Sequence, residues 1–230
     1  MSSHVMAALR PEMAMATQDQ ATVVVIDDDA SVRKALDNLF RSVGLEVELF
    51  SSPQEFLQSE RPDRPGCIVL DVRFPGRSGL DMQREISAAN TPLPIIFITG
   101  YGDIPMSVRA MRAGAVEFLT KPVRGQDLLD AVGIALERDR ARRERDGKLN
   151  DLKARFGTLS DRERQVLQFV TDGLLNKQIA GQMGLSEVTV KVHRHNMMKK
   201  LGARSVPDLV KMAEALGVGH EGRGFQANEK

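Results

Sequence analysis

Tryptophan is absent from this chain, and tyrosine and cysteine occur once each among its 230 residues. A single cysteine, Cys67, admits no intramolecular disulfide. At the head of an apolar run it reads as a buried structural thiol rather than a reactive one. No run approaches the ~18 uninterrupted apolar residues of a membrane helix. Nothing at the start joins a basic segment to a long apolar one, as a secretory signal does. These absences predict a protein of the reducing cytoplasm with no membrane partner. Neither sign of charge dominates, with 32 Lys/Arg against 31 Asp/Glu. What is present, 42% apolar and 27% charged residues, is an ordinary globular composition with room for one or two domains.

The charge is unevenly placed. Residues 21–136 carry 12 Lys/Arg against 16 Asp/Glu, residues 137–156 carry 8 against 5, and residues 157–230 carry 11 against 8. An acidic front and a mildly basic back predict different partners for the two halves. In the front half, short apolar runs alternate with amphipathic stretches. Thr22–Ile26, Val47–Phe50, Cys67–Leu70, Ile95–Ile98 and Val116–Leu119 read as strands. Helices are expected near Ser31–Val43 (Val32, Ala35, Leu36, Leu39 and Phe40 on one face), after the Ser52-Pro53-Gln54-Glu55 capping box, near Gly79–Ala89 and Pro105–Ala113, and from Gln126 onward. Five strands alternating with five helices predict a parallel sheet covered on both faces. Residues 137–157 read as a helical linker weakened at Gly147, with a flexible charged tether as the alternative. From Leu159 on, the pattern is all-helical: a capping box at Ser160–Glu163, a short helix Asn176–Met183, a turn at Gly184, a helix from Ser186 to about Leu201, and a fourth over Ser205–Leu216. Residues 1–20 and 218–230 read as disordered tails.

In a parallel sheet, ligands bind beyond the carboxyl ends of the strands. Strand one runs into Asp27-Asp28-Asp29, strand three into Asp71, strand four into Thr99, and strand five is followed by Lys121-Pro122. Clustered carboxylates repel one another unless a cation neutralises them, and a hard ion such as Mg²⁺ suits one or two carboxylates with a phosphate oxygen. The set fits phosphoryl transfer to a carboxylate, with Asp71 as nucleophile and Lys121 and Thr99 on the phosphoryl oxygens. Asp29 reads as a helix cap.

With these motifs, residues 21–136 resemble the receiver domains of bacterial two-component response regulators. The closest likeness is to the FixJ-like branch, carried by ITGYGDIPMSVRAMRAGA (Ile98–Ala115), Val25–Leu36 and LDVRFPGRSG (Leu70–Gly79). The resemblance implies that Asp71 accepts phosphate from a sensor histidine kinase. It implies a Mg²⁺ site of Asp27, Asp28, Asp71 and the Arg73 backbone carbonyl, phosphoryl-stabilising Thr99 and Lys121, and a switch coupling Thr99 to the ring of Phe118. Beyond self-phosphorylation and slow self-dephosphorylation, no enzyme activity is expected. An aspartyl-phosphate phosphohydrolase would place its general acid at position 73, where an arginine stands. A receiver working without phosphate is the third alternative.

The helix SEVTVKVHRHNMMKKLG carries four cations against one acid between Glu187 and Lys200. Val188, Val192 and Met198 fit an inward stripe, with Thr189, Lys191, Arg194, His195 and Lys199 outward, toward a major groove. Lys177 suits a phosphate. LSDRERQVL, GLLNKQIAGQMGLSEVTVKVH and KKLGARS resemble the LuxR/NarL-type helix-turn-helix. That likeness implies DNA contacts at Lys177, Thr189, Lys191, Val192, Arg194, His195 and Lys199. The expected fold is thus an α/β, five-stranded parallel doubly wound (flavodoxin-like) receiver over 21–136. A helical linker over 137–157 joins it to an all-α four-helix DNA-binding domain over 158–217. The expected function is a phosphorylation-dependent transcriptional regulator whose partners are a sensor histidine kinase, double-stranded promoter DNA and, once phosphorylated, a second copy of the chain.

Overall fold

The computed structural model describes residues 20–218 except 62, 75–76, 89–92 and 101–103. The tails expected at the two ends fall outside the described residues, apart from 20 and 218. The chain divides into two compact units, Met1–Arg143 and Glu144–Lys230. The division lies seven residues beyond the end expected for the first domain.

The first unit is built on β1 (Thr22–Ile26), β2 (Glu46–Phe50), β3 (Gly66–Asp71), a two-stranded hairpin of β4 (Arg73–Phe74) and β5 (Arg77–Ser78), β6 (Ile95–Thr99) and β7 (Glu117–Thr120). The hairpin was not anticipated. Strands β2-β1-β3-β6-β7 form one parallel sheet in that order. Its inner strands are β-branched and apolar because helices cover both faces, leaving no solvent side to alternate with. Alternate residues feed two cores. Val23, Val25, Cys67, Val69, Ile96 and Ile98 pack with Phe40, Leu128 and Val132. Val24, Ile26, Ile68, Leu70 and Phe97 pack with Phe56, Met82, Ile86 and Ala110. Cys67 is buried, and loss of solvation pushes its thiol up to about 12, where it is inert.

The covering helices are α1 (Ala30–Ser42), α2 (Pro53–Gln58), α3 (Gly79–Ala88), α4 (Ile104–Arg112) and the start of α5 (Gly125–Gly157). The Asp29 side chain caps α1 by accepting from the Ser31 and Val32 N–H groups, as expected. Within α1, Ala35 is exposed rather than inward. Asp37 is buried instead, bonded to Arg41 four residues on. Helix α5 runs without interruption through Gly147, the position expected to weaken it. A Glu144–Lys148 pair at 2.6 Å spans that glycine, at the i,i+4 spacing that supports an exposed helix.

In the second unit, α6 (Asp161–Thr171), α7 (Asn176–Met183), α8 (Glu187–Leu201) and α9 (Val206–Ala215) surround Val166, Leu167, Ile179, Val190, Met197, Leu201 and Leu209. Leu152 and Phe156, from the end of α5, pack on this core. Ser160 closes both halves of its capping box with Glu163. Gly184 ends α7 at φ +65°, a left-handed conformation open to glycine at no steric cost, and so turns the chain into α8. Helix α8 corrects the expected inward stripe. Val190, Met197 and Leu201 are buried, whereas Val188 and Val192 are 70% and 52% exposed and Met198 is half-buried. At 100° per residue the buried trio lies on the opposite side of the helix from Val188 and Val192.

Candidate functional site

The carboxyl edge of the sheet gathers the residues that the sequence placed at strand ends. Asp27, directly after β1, is fully buried, and Asp28 beside it is exposed. Three hydrogen bonds hold this turn. The Asp29 N–H donates to Asp27 Oδ1 at 2.9 Å, and the Arg33 guanidinium donates to the Asp27 and Asp28 carbonyls at 2.6 and 3.0 Å. Arg33 was missed in the sequence; its only signal is a cation in the first turn of the helix that follows the acidic triplet. Asp71 ends β3, nearly buried, and accepts from the Arg73 N–H at 3.4 Å. The Lys121 N–H donates to the Thr99 carbonyl at 2.7 Å, tying the loop after β7 to the end of β6; the Lys121–Pro122 peptide is cis. From there the Lys121 ammonium reaches Asp27 Oδ2 at 2.7 Å and Asp71 Oδ2 at 3.4 Å.

Burial pushes the Asp71 carboxyl above the ordinary range; the Lys121 ammonium opposes this and neighbouring Asp27 adds to it. Burial works against the Lys121 charge too, but Asp27 and Asp71 outweigh it and hold its pKa above the ordinary value. One carboxylate oxygen each from Asp27, Asp28 and Asp71 lie within 4.8 Å of one another. Three carboxyl groups meet a single ammonium here, an excess of acid that a divalent cation would offset, and an all-oxygen donor set suits a hard ion. Thr99 is buried at the same edge. Phe118, half-buried on the Thr99 side of the sheet, packs on Phe97 with ring centres 6.2 Å apart.

Residues 23–133 match the family of response regulator receiver domains, and residues 157–213 match the luxR family of bacterial regulatory proteins. The chain is 57% identical over 199 residues to Nodulation protein W of Bradyrhizobium diazoefficiens, covering 86% of this chain and 88% of that protein. The chain is a LuxR-type response regulator. Transcriptional regulatory protein FixJ of Azorhizobium caulinodans is 43% identical over 85% of this chain and 93% of that protein. Among solved structures, response regulator StyR superposes with a TM-score of 0.75 at 52% identity, covering 85% of this chain and 98% of that one. This response regulator joins a receiver to a LuxR-type DNA-binding output domain and is a transcription regulator.

In the output domain, Lys177, Lys191, Val192, His195 and Lys199 are exposed. Two other residues singled out in the sequence are engaged within the domain. Arg194 is half-buried and donates to Asn176 Oδ1 at 2.9 Å, tying α8 to the start of α7. The Thr189 hydroxyl shares a hydrogen bond with that of Ser186, the cap of α8. No helix among the described residues is long and apolar enough to cross a membrane.

Proposed function

We propose that this response regulator takes a phosphoryl group on Asp71 from the phosphohistidine of a sensor kinase, and that the modified protein binds promoter DNA as a dimer. The observation that carries this reading is the position of the Asp71 carboxylate, 3.4 Å from the Lys121 ammonium within a three-carboxylate cluster. An Asp71 oxygen attacks phosphorus; the bond from phosphorus to the donor nitrogen breaks, and the imidazole leaves with its electron pair. Lys121 and the Thr99 hydroxyl receive the charge on the phosphoryl oxygens. Asp27, Asp28, Asp71 and the Arg73 carbonyl are the residues that would hold Mg²⁺, which when bound neutralises charge on the transferring group. Movement of Thr99 toward the phosphoryl group vacates space that the Phe118 ring enters, shifting the population toward a dimer. Two output domains then meet two half-sites, with Lys191, Val192 and His195 toward base edges and Lys177 and Lys199 on phosphates. Thr189 flanks this face of α8, and Arg194, held by Asn176 where α8 meets α7, is the remaining contact with the duplex. Slow loss of the phosphoryl group to water resets the switch.

Incubation with a small phosphodonor, with and without Mg²⁺, tests the reading. Label is expected on the wild type only with Mg²⁺, and none on Asp71→Asn. Persistent label on the variant refutes the acceptor assignment.

A further inference from the structure

Helix α8 exposes two valines that its own domain does not use. Val188 stands in the first turn, 70% exposed, and Val192 one turn later, 52% exposed. Their spacing puts them on one row, which His195 and Lys199 continue and Lys191 flanks. The row points away from Val190, Met197 and Leu201, which anchor the helix to the core. β-Branched residues are among the weaker helix formers, so helix stability does not account for valines at two exposed positions. Apolar surface framed by cations calls for a partner that is anionic around an apolar feature. The major groove has that character: phosphates line its rims, and the apolar groups that protrude into it are the thymine 5-methyls.

We propose that Val188 and Val192 form a methyl-reading pair, each packing on the 5-methyl of a thymine in the same half-site, so that this regulator selects thymines at two neighbouring positions. The proposal rests on the DNA-binding reading of the output domain and adds Val188 as a specificity-determining residue. Val192 lies beside Lys191, which faces a base edge; Val188, nearer the helix start, reaches the adjoining step.

The test uses the full chain activated with beryllofluoride and Mg²⁺. Binding sites are selected from a random duplex library, and each thymine of the selected half-site is then replaced by deoxyuridine, which keeps the pairing edge and removes the methyl. Loss of one buried methyl contact is expected to weaken binding about fourfold at each of two thymines. Val188→Ala is expected to abolish the penalty at one thymine and Val192→Ala at the other. Circular dichroism confirms that the exposed substitutions leave the helices folded. Uracil tolerated throughout a sequence-specific site overturns the proposal and leaves the DNA-binding reading standing. Failure to select any site, with Asp71 still labelled, removes both. If Val188→Ala instead raises the affinity of the unphosphorylated protein and keeps every uracil penalty, the valines belong to an intramolecular surface and the proposal falls.

Discussion

At Gly79, the first residue of α3, an added Cβ would lie 2.5 Å from the carbonyl oxygen of Asp71 and 2.9 Å from the Cα of Val72. Both neighbours are backbone, so neither can swing aside. The Gly79 N–H also donates to the Val72 carbonyl at 2.7 Å, which holds the approach close. Gly79→Ala therefore presses on the backbone of the proposed acceptor. We expect it to destabilise the receiver by about 1–3 kcal/mol in urea unfolding and to slow phosphodonor labelling of Asp71; wild-type stability would show that the backbone yields. The acidic pocket itself was legible from sequence, since five chemically distinctive residues fall at strand ends and a parallel sheet brings those ends to one edge. Gly79 and Arg33 were not, because each acts on the backbone of the site, where side-chain chemistry gives no sign. Val188 and Val192 were misphased: with valines at 188, 190 and 192, sequence alone does not say which mark the buried side.

At the scale of elements, helix α5 departs most from its expected role. Its segment 137–146 is so rich in charge that it read as part of the linker. Yet Asp139 is fully buried, accepting from the Gly66 N–H at 3.0 Å, from Arg142 at 2.6 Å and from Arg143 at 2.7 Å. Arg143 also bonds Asp63 and the Arg64 carbonyl, so the helix is fastened where the chain enters β3. One buried acid among many exposed charges has no distinctive sequence pattern, so the sequence gives no sign that this part of α5 is fastened to the sheet. Capped and strongly periodic elements were legible; the five sheet strands and the four output helices fall within a few residues of their expected places. Removing Asp139 leaves an amide and two guanidinium groups without their shared acceptor. We expect Asp139→Ala to cost the receiver about 3–5 kcal/mol, read as a lowered denaturation midpoint, with a smaller loss for Asp139→Asn, which retains an acceptor. Equal stability of Asp139→Ala and wild type would show that the latch contributes nothing.

The whole molecule contains two separately cored units, so we expect two thermal transitions, and the chemistry of each unit supplies its own handle. Mg²⁺ bound as proposed at the carboxylate cluster would favour the native receiver, so we expect added Mg²⁺ to raise only its transition. The output unit carries Glu163, nearly buried. Burial pushes its carboxyl up, but bonds from the Lys200 ammonium at 2.7 Å and the Ser160 N–H at 2.8 Å outweigh that and hold its pKa below the ordinary 4.5. A carboxyl whose pKa is lower folded than unfolded adds stability that is fully present above the unfolded value. That stability is lost as pH falls through the folded one. The output transition should therefore drop more steeply than the ordinary acid response once pH passes below about 4.5. In Glu163→Gln that extra dependence should vanish, while the Mg²⁺ response of the receiver is unchanged. Calorimetry of the full chain at pH 7 and across pH 5 to 3 reads both handles at once. A single transition that answers to both Mg²⁺ and Glu163→Gln would mean that receiver and output domain unfold as one cooperative unit.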